Sequence, residues 1–233
     1  MKIGLFGYGN MGKMIDRMAA DRNHQVVARI DSPEQKPPFE AMDVAIDFSQ
    51  PGAAVKNIRQ CLENGVPIIS GTTGWLEHYR EITELCDQVG GAFLYASNFS
   101  LGMNLFFELN AYLAKLMAGI PGYMLRMTEI HHTRKLDAPS GTAISLAEGI
   151  IANSHYKRWG QEALDPDTIP VKSEREGDTP GTHQVVYDST VDSIEIQHIA
   201  HNREGFALGA LLAAEWIQGK KGVFDMKDVL NLR

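Results

Sequence analysis

The segment EIHHTRKLDAPSGTA, residues 129–143, gathers two histidines, a basic pair and a Ser-Gly-Thr turn in one short stretch. A solvated linker has no need of that mixture. Histidine is the side chain that can give a proton near neutral pH without an extreme shift. Lys135 adds a compact positive charge for an anion. Pro139 stops extended backbone. Ser140, Gly141 and Thr142 then begin a helix whose unpaired N–H groups and dipole favour a carboxylate. Proton donor, cation and anion cradle together suit a small acid carrying negative charge at two places. Neighbouring residues on a strand point to opposite faces, so His131 and His132 have separate tasks unless the strand ends between them. The plainer reading of the pair is two satisfied, half-buried histidines; their place beside Lys135 and the Ser-Gly-Thr helix start argues against it.

A second constellation lies at the N-terminus. GLFGYGNMGKM follows an apolar run and opens a helical pattern. Gly7, Gly9 and Gly12 form G-x-G-x-x-G: the first permits the tight turn, the second lets backbone approach a pyrophosphate, and the third packs helix on strand. Asn10 and Met11, inside the motif, belong to the same phosphate-facing helix start. Asp31 stands at the end of the next strand, where an acid can accept from ribose hydroxyls. Ser32, not arginine, follows it, and a carboxylate repels a 2′-phosphate, so NADH is expected to bind at least as well as NADPH. GTTG (71–74) and SNFS (97–100) end two later strands, the edge where such sheets bind ligands. There Gly71, Thr72 and Thr73 on one side, and Ser97, Asn98 and Phe99 on the other, are candidates for the nicotinamide end. Tight turns that merely need these residue types are the alternative.

These residues need a scaffold, and the pattern supplies one. KIGLF (2–6), QVVARI (25–30), DVAIDF (43–48), PIISG (67–71) and AFLYA (92–96) are short apolar runs, as expected of strands covered on both faces. Helical segments 10–22, 51–64 and 75–89 separate them, apart from a proline-rich loop at 31–42. This is the βαβ signature of a parallel sheet. The pattern then changes. Residues 101–119 predict an amphipathic helix with Leu105, Leu109, Tyr112 and Leu116 on one stripe with Phe106, Leu113 and Met117. A strand at 123–132 and a helix at 141–156 follow. Residues 157–183 read as a long loop, and 183–189 with 193–200 as an antiparallel hairpin. A last apolar helix spans 205–219. The expected fold is α/β, a Rossmann-like parallel sheet domain with an inserted α+β sheet domain. A dinucleotide-binding domain is expected over 1–100 plus 205–233, and a substrate-binding and oligomerisation domain over 101–204.

Composition narrows the function. At 233 residues, the chain can bury roughly 70% of its unfolded surface without disulfide or metal. A formal net charge of −7 disfavours nucleic acid and anionic membranes as partners. Cys61 and Cys86 lack CxxC spacing and read as reduced thiols of a cytoplasmic protein. The start of the chain runs directly into a strand-like stretch, with neither signal peptide nor membrane span expected. Eight histidines raise a metal hydrolase as a rival, with His131, His132, His183, His198 and His201 converging. No HxxxH on a helix and no HxH with a carboxylate set supports it, so no metal is expected.

The chain resembles the dihydrodipicolinate reductase family of bacterial lysine and diaminopimelate synthesis. HHTRKLDAPSGTA (131–143) carries the resemblance, supported by GYGNMG (7–12), IDFS (46–49), GTTG (71–74), NFSLG (98–102), REGDTPGTH (175–183) and HIAHNREGFALGA (198–210). The resemblance implies hydride transfer from NADH or NADPH to a cyclic imine dicarboxylate, and a homo-oligomer, expected to be a tetramer. It assigns His131 as proton donor, Lys135 as second catalytic residue and His132 as a substrate contact. Ser140, Gly141 and Thr142 become the carboxylate-binding turn, and Gly71, Thr73, Asn98 and Phe99 contacts of the nicotinamide end. It places Arg175, Gly177 and His183 in a loop that takes part in subunit association. Three features depart from the family. The glycine loop is one residue shorter than its commonest form, Ser97 stands where proline is usual, and a short segment between the second and third strands trims the adenine side.

Overall fold

The computed structural model describes residues 1–162 and 165–232. In chain order the elements are β1 (Lys2–Phe6), α1 (Asn10–Asp21), β2 (Gln25–Ile30), β3 (Val44–Asp47), α2 (Pro51–Glu63), β4 (Ile68–Ser70), α3 (Tyr79–Val89) and β5 (Ala92–Tyr95). Then come α4 (Leu101–Met117), β6 (Met124–His131), α5 (Gly141–Ile151), β7 (Arg158–Gly160), β8 (Thr168–Arg175), β9 (Gly181–Asp188) and β10 (Ser193–Ala200). The chain finishes with α6 (Glu204–Trp216), β11 (Gly222–Phe224) and α7 (Met226–Leu230). It divides into two compact units, Met1–Leu101 with Glu204–Arg233, and Gly102–Arg203.

The first unit is a six-stranded sheet in the order β11-β5-β4-β3-β1-β2, parallel throughout. Its apolar runs are continuous because both faces are covered. Successive residues feed alternate cores: Val44 and Ile46 face one with Ile15, Ala210 and Leu211, while Ala45 faces the other with Ile58, Leu62 and Trp75. Helices α1 and α6 therefore cover one face, and α2 and α3 the other. The strand order reverses between β1 and β3, and ligands of such sheets bind beyond the strand ends at that reversal. The glycine turn leaves β1 there, and Phe48 and Ser49 leave β3.

The second unit is a five-stranded mixed sheet, β10-β9-β6-β8-β7. Central β6 pairs antiparallel with β9 and parallel with β8. One face packs on α4 and α5, with Leu125, Met127, Ile169, Val171, Val185 and Tyr187 meeting Phe106, Leu146 and Ile150.

Two expectations are corrected here. Residues 157–183 are not a loop: they hold β7, all of β8 and the start of β9. TIPVKSER lacks a clean apolar alternation and contains Pro170, which disguises a strand. Arg175 and His183 are consequently strand residues, and Gly177 stands in the turn joining β8 to β9. On α4 the helix is predicted correctly, but Leu105, Leu109, Tyr112 and Leu116 are half-exposed, while Met103, Phe106, Asn110 and Ala114 are buried. A helix apolar most of the way round does not announce which stripe faces the core.

Candidate active site

In the second unit the helix-facing row of three strands changes character at one level. Along β6, Leu125 and Met127 give way to Glu129 and His131; along β9, Tyr187 and Val185 give way to His183; along β8, Ile169 and Val171 give way to Ser173 and Arg175. The register sets Glu129 opposite both His183 and Ser173, and His131 opposite Arg175. A polar layer thus caps the apolar core, assembled by strand pairing alone.

Glu129 is completely buried. One oxygen accepts from the Ser140 N–H at 3.0 Å, and the other lies 3.2 Å from Arg175 Nη2. His131 Nε2 stands 3.4 Å away and His183 Nε2 4.0 Å away. Burial opposes ionisation of Glu129, but the hydrogen-bonding groups of His131, Ser140 and Ser173 outweigh it and hold its carboxyl well below the usual carboxylate range. His183 is pushed down to about 4, chiefly by burial and then by the charge of His131, with Glu129 opposing. Glu129, His131 and His183 bring ligand-type atoms within 4.8 Å of one another, a spacing a metal trio could use. The Arg175 guanidinium on the same carboxylate already neutralises it, which favours a proton-holding network over a cation site.

The loop after β6 is pinned to this layer. Arg175 donates to the carbonyls of Lys135 (3.3 Å), Asp137 (2.6 Å) and Glu174 (2.7 Å). Glu176 N–H reaches the His131 carbonyl at 2.8 Å, and Thr133 N–H the Gly177 carbonyl at 3.1 Å. Lys135 is partly buried and gripped by both oxygens of Asp137. His132 is half-buried, and its pKa lies below the ordinary value, first through desolvation and then through Arg134, Arg203, His131 and Lys135. Ser140 caps α5, its hydroxyl accepting from Ala143 N–H at 3.2 Å and lying 3.3 Å from His183 Nε2. That hydroxyl is therefore committed inside the protein. Gly141 and Thr142 supply the remaining first-turn N–H groups, and a Cβ on Gly141 would meet nothing within 4 Å.

In the first unit, Gly7 has φ +88° and lies against the Phe48 carbonyl, a place no side chain could enter. Gly12 is equally tight against the Gly7 carbonyl, where a Cβ would stand 2.3 Å from its oxygen. Gly9 caps α1 and has nothing within 4 Å of a Cβ position. No side chain caps α1 and no acid lies in its first turn, so Asn10 and Met11 begin a helix whose N–H groups face outward unopposed. Tight flanks around an open centre fit a pyrophosphate. Asp31 is exposed and accepts the Tyr8 N–H at 2.8 Å, which ties it to the glycine turn.

The structure sorts the residues of the two turns expected at the nicotinamide end. The Thr72 hydroxyl donates to Asp47 at 2.7 Å and accepts the Ser49 N–H at 2.9 Å, whereas Thr73 is exposed. Asp47 is wholly buried and also takes Ser49, Asn57 and Ser70; burial pushes its pKa up and these four donors oppose it. Gly71 lies against the Phe48 ring. Ser97 is exposed, and Asn98 Oδ1 accepts the Ser100 N–H at 2.9 Å. Phe99 is buried in the core, so its backbone alone can face a ligand.

Sequence reading passed over Glu129, Asp137 and Asp47. The first had a signal, an acid two residues before His131 on an otherwise apolar strand face. Asp137 stands two residues from its partner Lys135, a spacing that acids and lysines share on any solvated loop, and most partners of Asp47 lie in distant segments.

Family models of dihydrodipicolinate reductase match residues 1–99 for its N-terminus and 102–230 for its C-terminus. A 4-hydroxy-tetrahydrodipicolinate reductase of Christiangramia forsetii is 50% identical over 99% of this chain and 98% of its own. One from Neisseria meningitidis serogroup C is 38% identical over 82% of this chain and 73% of its own. Among solved structures, a dipicolinate-bound dihydrodipicolinate reductase from Paenisporosarcina shares the fold at TM-score 0.80 and 22% identity, covering 98% of each chain.

Proposed function

We propose, for a chain that belongs to the dihydrodipicolinate reductase family, the division of labour by which its residues reduce 4-hydroxy-tetrahydrodipicolinate with a reduced nicotinamide nucleotide. The activity follows from membership; the residue roles are our reading. The nucleotide supplies the hydride. Gly7, Gly9, Asn10, Met11 and Gly12 hold its pyrophosphate, Asp31 its ribose, and Gly71, Thr72, Thr73, Ser97, Asn98 and Phe99 frame the nicotinamide, Thr72 and Phe99 through their backbones. Asp31 and the engagement of Arg29 by Asp16, at 2.6 and 2.8 Å, support NADH as a coenzyme used at least as well as NADPH. Comparing the two Michaelis constants tests this.

In the second unit, N–H groups of Gly141 and Thr142 hold one substrate carboxylate, with Ser140 shaping the turn. Lys135 and His132 take the other anionic and polar groups. Once the ring hydroxyl of the substrate has left as water, giving a C=C conjugated to the imine, hydride addition at the far carbon of that C=C leaves an enamine, which requires a proton at the neighbouring carbon. His131, as imidazolium, gives it. Carrying this reading is one observation: His131 lies in the polar layer on a completely buried carboxylate, at the foot of the loop that bears Lys135 and the α5 start. The condensation product of pyruvate and aspartate semialdehyde is the test substrate, followed by loss of reduced-nicotinamide absorbance. His131→Gln and Lys135→Ala should each lose turnover with nucleotide binding intact; full activity in both overturns the roles.

A homotetramer is supported by the family resemblance and by the half-exposed apolar stripe of α4, and light scattering measures it. Among the described residues no helix is long and apolar enough to cross a membrane. Buried, unpaired Cys61 and Cys86 support a reducing, cytoplasmic setting.

A further inference from the structure

We propose that Glu129 is a positioning residue for the proton donor: its carboxylate holds the Nε2 edge of His131 inward, leaving Nδ1 as the nitrogen that delivers the proton. This rests on His131 being the donor, and the test below separates the two.

Three observations converge. His131 Nε2 is buried without a well-aligned hydrogen bond, and its ion-pair partner is the Glu129 oxygen 3.4 Å away. The ring is confined on its other sides. A Cβ on Gly181 would lie 2.9 Å from His131 Cε1, so the glycine backbone floors the imidazole. The His183 ring meets it edge-on, with centroids 5.2 Å apart. Finally, Glu129 is not a free counter-ion. Ser140 N–H and Arg175 fix it, so the carboxylate that orients the donor also fixes the start of α5.

The proton step is then simple. The Nδ1–H bond of the imidazolium breaks and its electron pair stays on nitrogen. The enamine π pair takes the proton to form the new C–H bond. Nε2–H remains directed at Glu129, as a carboxylate fixes the tautomer of a catalytic imidazole. The charged groups around the ring are Glu129 and His132 on its own chain segment, Lys135 in the following loop, Arg175 on β8 and His183 on β9. Glu129 is the one acceptor of the group on the Nε2 side, so its carboxylate is what fixes that edge of the ring.

Glu129→Gln keeps the shape and removes the charge. It should lower kcat about 10- to 100-fold with KM changed less than about threefold. Glu129→Asp, which keeps the carboxylate, should restore part of the lost turnover. A kcat within about twofold of wild type, or an effect confined to KM, overturns the proposal. Should the glutamine variant fail to fold, nitrogen-15 spectra of the wild-type ring decide. A neutral His131 protonated at Nε2 supports it; protonation at Nδ1 overturns it. Run in parallel, an active His131→Gln defeats the donor reading itself, whereas an inactive His131→Gln beside an unaffected Glu129→Gln defeats this inference alone.

Discussion

The ammonium of Lys135 is held by both oxygens of Asp137, at 2.8 and 2.7 Å. In the role proposed for Lys135, a substrate carboxylate competes with this partner for the ammonium. Asp137 is 59% exposed in its side chain, so the pair contributes about 1 kcal/mol or less. Asp137→Asn should therefore lower the substrate KM by up to about fivefold. The Asp137 carbonyl still receives Arg175, so the loop keeps its anchor. Steady-state kinetics at low salt check this; a raised KM would show that Asp137 orients the ammonium instead.

His183 should make stability fall on mild acidification. Its folded value near 4 lies below the unbonded 6.5. Between those values the unfolded chain binds the extra proton, so stability is full above pH 6.5 and drains as pH drops toward 4. The loss amounts to about 3 kcal/mol across that window. Urea melts at pH 7 and pH 5 should show a lower midpoint at pH 5, and His183→Asn should flatten most of the difference. Glu129, held low, adds its own loss only below the ordinary carboxylate range.

Thr72 and Thr73 are adjacent but should behave differently. Removing the Thr72 hydroxyl leaves Asp47 and the Ser49 N–H short of a partner in a buried place. Thr72→Val should cost about 1–3 kcal/mol, visible as a lower Tm. Thr73→Val, on an exposed residue, should leave the unfolding free energy within about 0.5 kcal/mol of wild type. Any loss of nucleotide affinity in that variant then reports contact with the ligand and not support of the fold.

The glycines divide in the same way. Gly9→Ala places a methyl in open space on ordinary backbone, so Tm should hold while nucleotide affinity falls at least about tenfold, as a methyl enters the phosphate position. Gly12→Ala places one 2.3 Å from the Gly7 carbonyl oxygen and should destabilise by about 1–3 kcal/mol. Thermal melts with and without nucleotide separate the two.

Most of the first unit was legible in the sequence, because a parallel sheet covered on both faces writes each strand as an unbroken apolar run between turn residues. KIGLF and QVVARI coincide with β1 and β2, and SIEIQHIA with β10. Residues 157–183 were not legible, since a polar edge-side strand with a proline carries little alternation. Nor was β11, three residues long and recruited by the edge of β5. At the site, the local signals, the helix start at Ser140 and the histidine pair, could be read directly. The partnership of Glu129 with Arg175 and His183 could not, because it is a property of strand register across distant segments. Ser140 and Thr72 turn inward for a like reason: their hydroxyls meet His183 and Asp47, partners the linear sequence does not place beside them.

Because β6 supplies Glu129 and His131 from alternate positions, the polar layer depends on the reading frame of the central strand. Adding a single amino acid between Met127 and Glu129 would swing both side chains onto the opposite surface and strand Arg175 beside an empty row. Adding two would return them to the correct surface but slide them past His183 and Gly181. Length changes are absorbed instead by the bend at 189–192, so variation in chain length among functional relatives is expected there and not in β6.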